Sequence, residues 1–199
     1  MRWLGKSRTE PGWLAIRLRS DGLELAHVIA GEGSIPRVAR YESHDLRWSD
    51  AGALARFRRD ARLERYRVTT LLEGADYRML LVDAPNVPPA ELRSAIRWRI
   101  KDLIDIHVED AMIDVVDIPV DQSAPARSHS MYVAVAHNDV IQRRVELFQG
   151  AKIPLSVIDV PEMAERNVAR LFERNGRVTM LMSFEDEGGL LTFTHRGEL

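Results

Sequence analysis

Tyr77 to Pro119, YRMLLVDAPNVPPAELRSAIRWRIKDLIDIHVEDAMIDVVDIP, reads as strand, helix and strand. Tyr77 to Val82 is an apolar run of β type, and Pro85, Pro88 and Pro89 stop it. Pro89 then suits the first turn of a helix, where its missing N–H would be unpaired in any case. From Glu91 to Ile104, the residues Leu92, Ala95, Ile96, Ile100, Leu103 and Ile104 recur at helical spacing on one face. Met112 to Ile118 is apolar with Asp114 and Asp117 interrupting it, the pattern of a strand covered mainly on one side. No catalytic constellation falls in this stretch, so it speaks first to architecture.

Working outward, Trp13 to Leu18 and Gly22 to Ala30 alternate as two strands around a turn at Arg19-Ser20-Asp21-Gly22, and Arg37 to Tyr41 can add a third. Ser49 or Asp50 can cap a helix to about Tyr66 that turns Leu54, Phe57 and Ala61 inward. Arg67 to Glu73 reads as a strand. On the other side, Val120 to Ser130 is a polar loop and Met131 to Ala136 a buried strand. Asn138 caps a helix carrying Val140, Ile141, Val145 and Phe148, which Gly150 stops. Leu155 to Val160 is one more strand. Pro161 opens a helix with Met163, Val168, Leu171 and Phe172 on its apolar side, closed by Asn175-Gly176. Strands VTMLMSF and LLTFT follow, and the pattern leads us to expect a further strand and a second half beyond Leu199.

Strands alternate with helices throughout, so the fold class is α/β or mixed α+β. The order predicts two units: an outer one from residues 1–79 and 156–199, and an inserted β-α-β-β-α-β subdomain over residues 80–155.

Composition narrows the function classes. A chain of 199 residues can bury a real core, and 45% hydrophobic with 29% charged residues is ordinary for a globular protein. A net charge of −2 gives no bulk argument for nucleic acid. Without cysteine there are no disulfides, thiolate metal sites or cysteine nucleophiles. No apolar run approaches the roughly 18 residues of a membrane span, and MRWLGKSRTEPGW lacks a signal-peptide core, so a cytoplasmic location is expected.

With YRMLLVDAPNVPPAELRSAIRWRIKDLIDIHVEDAMIDVVDIP at its centre and MYVAVAHNDVIQRRVELFQGAKIPLSVIDVPEMAERNVARLF after it, the chain resembles the PilM and MshI-like assembly proteins of type IV pili (MSHA-type). The resemblance spans nearly the whole chain and rests on pattern. It implies an actin-like (ribonuclease H-like) fold similar to the cell-division protein FtsA, with a small α/β subdomain inserted in its first half. It also implies a cytoplasmic scaffold at the inner face of the bacterial inner membrane. Its partner would be the cytoplasmic tail of a PilN-like inner-membrane assembly protein, with membrane association through that partner and room for an oligomer. Some members of that family bind ATP with magnesium between two halves.

The residues speak against a nucleotide here. Actin-like ATPases set an Asp-x-Gly hairpin against the phosphates, where Asp orders metal-bound water and Gly lets backbone N–H groups approach. Aligning WLAIRLRSDGLELAHV on that hairpin puts Arg17 at the Asp, Arg19 at the Gly, and Glu24 where a lysine is often found. In VTMLMSFEDEGGLLTF the second hairpin falls at Ser183 and Glu185, with Asp186 and Gly188 out of register. We therefore expect no catalytic residues, no cofactor-binding residues and no ATPase activity; cofactors are expected to be none. The alternatives are an active actin-like ATPase and the cytoplasmic domain of a type II secretion assembly protein.

His27, His44, His107, His129, His137 and His195 show no ligand spacing, and Asp102 with Asp105, or Glu185-Asp186-Glu187, lacks that of a calcium loop, so no metal site is expected. Arg56, Arg58, Arg59, Arg62, Arg65 and Arg67 read either as a solvated helix face or as a contact for an acidic tail or anionic lipid. At about 100° per residue, Trp98 lies opposite the apolar face of its helix, beside Ser94 and Lys101. An indole there needs cover, from its own chain or from a partner. Trp98 and Lys101 are the candidate partner-binding residues.

Overall fold

The computed structural model describes residues 9–49, 51–119, 129–174, 176–185 and 188–199. Asp50 as a helix cap, most of the Val120 to Ser130 loop, Asn175, and Asp186 with Glu187 lie outside the described residues. The chain divides into two compact units, residues 1–71 with 143–159, and residues 72–142 with 160–199.

The first unit is built on a five-stranded sheet. β1 (Trp13–Leu18) and β2 (Leu23–Ala30) form the expected hairpin, and β3 (Pro36–His44) extends it antiparallel. Gly22 closes the first turn where the β2–β3 backbone comes close; a Cβ there would stand 2.3 Å from the His44 carbonyl oxygen. β4 (Val68–Leu71) and β8 (Leu155–Asp159) add on parallel, giving the order β3-β2-β1-β4-β8. Alternation in β1 and β2 sends Leu14, Ile16, Leu18, Leu23 and Leu25 to one face. There they pack with Leu54 of α1 (Ala51–Asp60) and with Phe148 of a later helix. α1 is shorter than its periodicity suggests: Arg62 takes a left-handed conformation at φ 54°, and Leu63–Arg65 continues as a 3-10 turn that buries Leu63.

The second unit holds a three-stranded antiparallel sheet, order β5-β7-β6, from β5 (Tyr77–Asp83), β6 (Ala111–Asp117) and β7 (Ser130–His137). α2 (Leu92–Ile100), entered through a 3-10 turn at Pro89–Glu91, lays Ile96 and Ile100 on Val82, Ile113, Met131, Val133 and Val135. The strand-helix-strand reading of Tyr77 to Pro119 therefore holds. The helix stops at Ile100, however, so Leu103 is exposed while Ile104 still reaches the core. Arg97 fixes the return: its guanidinium donates to the carbonyls of Val108 at 2.6 Å and Ala111 at 3.2 Å.

The expected β-α-β-β-α-β set does not close as one sheet. Its last helix, α3 (Asn138–Gly150), contributes Phe148 to the core of the five-stranded sheet, and its last strand is β8 of that sheet. The reason is partnership: Leu155–Asp159 finds the parallel edge of Val68–Leu71. Asn138 donates its side-chain amide to the Glu109 carbonyl at 3.1 Å, while the Asp139 amide donates to His137 Nδ1 at 3.2 Å. The left-handed residue after α3 is Lys152, at φ 58°.

The second unit continues with α4 (Pro161–Phe172) and the hairpin of β9 (Thr179–Glu185) and β10 (Gly188–Thr194). α4 buries Met163 and Ala169, but Val168, Leu171 and Phe172, expected on its inward side, are exposed. The side turned to the hairpin carries Glu165, which accepts hydrogen bonds from the hydroxyls of Ser183 and, at 3.1 Å, Thr192. Among the described residues no helix is long and apolar enough to cross a membrane.

Candidate partner-binding site

Trp98 stands on the outer face of α2 and is 73% exposed, the side the helical wheel assigns it. Lys101 comes to it by i,i+3 spacing, with Nζ 4.3 Å from the ring centroid, within cation–π range. Lys101 thus orients the indole and leaves most of it exposed.

A cleft of about 430 Å³ lies in the same unit. Three separate segments form it: the turn Gly74–Ala75–Asp76 running into β5, the chain after α2 at Ile104–Ile106, and the end of β7 with the start of α3. Ile104, Ile106, Val135 and Val140 supply an apolar lining. Arg78 and Asp105 make an ion pair at 2.5 Å on its rim, largely exposed, and His137 adds a second polar group. Tyr77 also lines it, and its hydroxyl donates to Glu162 of α4. Burial, and then the hydrogen bond to the Glu162 carboxylate, pushes the Tyr77 phenol well above its ordinary pKa, so it stays a donor across the neutral range. An apolar lining with a few polar rim groups is the make-up of a small-ligand or peptide site.

Sequence reasoning missed the cleft. Its residues come from positions 74–78, 104–106 and 135–140, and Ile104 and Ile106 look in sequence like ordinary core or loop residues. The one local signal was Gly74-Ala75-Asp76, a turn between two strands.

At the β1–β2 turn, which the sequence alignment sets on the first phosphate hairpin, Arg19 is committed to its neighbours. Its Nε and Nη2 hold Asp21 at 2.9 and 2.7 Å, and Nη1 reaches Glu24 at 3.0 Å. Asp21 first, then Glu24, raises the Arg19 pKa further, and the same pairing lowers that of Asp21. At the second hairpin, the Ser183 hydroxyl is taken by Glu165; Asp186 lies outside the described residues. Among the described residues no group of three His, Cys, Asp or Glu could hold a metal ion. Asp105 is paired with Arg78, and from the arginine-rich segment Arg65 pairs with Glu10 at 2.7 Å, Arg58 with Glu64 at 3.4 Å, and Arg67 stacks 4.1 Å over Trp13.

No protein-family model matches the chain, and no curated protein sequence matches it. Several solved structures share its fold, among them the following two. The structure of a PilM-PilN type IV pilus biogenesis complex matches with a TM-score of 0.69 at 22% identity, over 94% of this chain and 59% of that one. The cytoplasmic domain of EpsL, an inner membrane component of the type II secretion system of Vibrio cholerae, matches with a TM-score of 0.62 at 13% identity, over 92% of this chain and 67% of that one. The chain thus shares the fold of these two structures, a mixed α/β one, and spans 59% of the length of the first.

Proposed function

We propose that the chain is a non-catalytic, cytoplasmic scaffold subunit of a type IV pilus (MSHA-type) assembly machine that docks the cytoplasmic tail of a PilN-like inner-membrane protein. The observation that carries the proposal is the likeness of 94% of the chain to a PilM-PilN structure. In this reading the fold is actin-like, the five-stranded sheet belongs to the outer subdomain, and the three-stranded sheet with α2 is the inserted one. The cleft takes aliphatic side chains of the tail against Ile104, Ile106, Val135 and Val140, while Trp98 and Lys101 form a second contact. Membrane association comes through the partner, at the inner face of the inner membrane. The absence of catalysis is supported by Arg17 and Arg19, which cannot ligate magnesium, and by the engagement of Arg19 with Asp21 and Glu24.

The test is calorimetric titration of a synthetic peptide copying the tail of the PilN-like protein from the same organism. Val140→Asp and Trp98→Ala should each weaken binding tenfold or more at unchanged melting temperature. No binding by the unaltered chain at 100 μM peptide on the order expected for a weak complex, or unchanged affinity in both variants, sinks the proposal. A second reading, a type II secretion cytoplasmic domain, is favoured by the EpsL likeness, and preferential binding of the tail of a type II secretion inner-membrane protein would select it. Submicromolar binding of magnesium ATP would instead select the ATPase reading.

A further inference from the structure

We propose that the arginines at the end of α1 form a direct contact with anionic phospholipid headgroups. The net charge of −2 conceals a separation. The first unit holds 17 Arg and Lys against 11 Asp and Glu, a net of +6, and the second holds 11 against 19, a net of −8. A split of that size points to a polyanionic surface on the basic side. Within the first unit Asp21 and Glu24 are held by Arg19, Glu42 by Arg40, Glu64 by Arg58 and Glu10 by Arg65. Arg59 and Arg62 are exposed, and among the described residues neither pairs with a carboxylate. Arg56, also exposed, stands three residues before Arg59 on the same side of α1, and Asp60 offsets one of these charges. Arg62 occupies a left-handed position, φ 54°, that the backbone would give to glycine. Its amide donates to the Arg59 carbonyl and its carbonyl accepts from the Arg65 amide, both at 3.2 Å, bonds that glycine would make equally well. What arginine adds there is its side chain.

Charge complementarity selects a phosphate, which a guanidinium takes through two parallel donors. Phe57 and Tyr66, the aromatics of this stretch, pack on the core of the five-stranded sheet, so no ring is offered for the base stacking that a nucleic acid would use. The choice of lipid rests on the proposed place at the inner face of the membrane, where anionic headgroups are the nearest polyanion. Near such a leaflet each arginine strengthens partitioning about fivefold, which alone gives weak, reversible binding. Stable attachment takes two signals, and the docked tail would be the other.

The experiment is co-sedimentation of the 199-residue chain with vesicles of phosphatidylglycerol and phosphatidylcholine, or of phosphatidylcholine alone, at 100 and 500 mM salt. The chain should partition onto the phosphatidylglycerol vesicles at 100 mM and leave them at 500 mM, because exposed charges are screened. Arg59→Gln with Arg62→Gln should weaken partitioning about 25-fold, whereas Arg93→Gln with Arg177→Gln, the same loss of charge in the second unit, should change it less than about threefold. Arg62→Gly should weaken it about fivefold while amide exchange in β1 and β2 is unchanged or slower, and it decides alone should the double variant fail to fold. No partitioning at 5 mM lipid, equal binding to both vesicles, or equal losses in the two double variants overturns the proposal. So does tighter binding to a single-stranded oligonucleotide or to oligoglutamate at matched charge. The vesicles carry no protein, so failure here leaves the tail titration standing, and failure of that titration leaves this partitioning measurable.

Discussion

Ile100 and Trp98 sit two residues apart on α2 and should respond oppositely to truncation. Ile100 is fully buried among Val82, Ile113 and Val133, so Ile100→Ala removes three carbons from a packed site. Transfer alone accounts for about 2.4 kcal/mol at about 0.8 per carbon. The cavity adds more, at about 24 cal/mol per Å³ left unfilled, for a total of about 3–4 kcal/mol. Trp98→Ala removes a side chain that is 73% exposed and places a better helix former, so it should change stability by less than about 0.5 kcal/mol. Because the chain has two units, a single melting curve would mix them. Hydrogen exchange of peptides covering β7 reads the second unit directly. In Ile100→Ala those amides should exchange at least 100-fold faster, at about 1.4 kcal/mol per factor of ten, and in Trp98→Ala at nearly the unaltered rate. Equal acceleration in both variants would refute the assignment of opposite faces.

Phe148→Ala should cost about 3–5 kcal/mol, and the loss should appear in exchange of β1 and β2, because Phe148 packs with Leu14, Ile16 and Leu25 rather than with the three-stranded sheet. Arg97→Met should destabilise the second unit by about 2 kcal/mol through loss of two donors to Val108 and Ala111, read in urea unfolding of that unit. Glu42 is held down to a pKa of about 2 by the Arg40 guanidinium first and by His44 as well, against 4.5 unperturbed. A depressed carboxylate stabilises the fold above its unfolded pKa, and that contribution fades as pH falls from about 4.5 through 2. Since the pair is about one-third exposed, the effect is no more than about 1 kcal/mol. Glu42→Gln should accordingly flatten the melting temperature against pH in that window.

Most of the fold was legible because most elements announce themselves locally. The Pro85, Pro88 and Pro89 cluster, the 3.6-residue spacing of Ile96 and Ile100, and the alternation of β1 and β2 each locate an element from within its own span. Sheet membership is not local. Nothing in LSVID says whether it pairs with β4 or with β7, and the inserted unit drawn from element order therefore counted a strand that belongs to the five-stranded sheet. The candidate site divides the same way. Trp98 and Lys101 were visible because one helix carries both, whereas the cleft draws on segments as far apart as Gly74 and Val140, and no spacing rule joins them.

The α4–hairpin region carries the point a step further. Periodicity puts Val168, Leu171 and Phe172 on one side of α4 and Met180, Met182 and Phe184 on one side of β9, and both elements form as the pattern says. A pattern tells which residues share a side, but the side that is covered depends on what lies opposite. Here Glu165 meets Ser183 and Thr192, and Glu173 accepts from the amides of Arg196 and, at 2.6 Å, Gly197, so polar pairing draws the two elements together. Each such bond contributes about 1 kcal/mol net, more when a carboxylate accepts, while an apolar row left in water forgoes about 25 cal/mol per Å². The covered side of each element is therefore set by these polar partners, which no periodicity in the sequence displays.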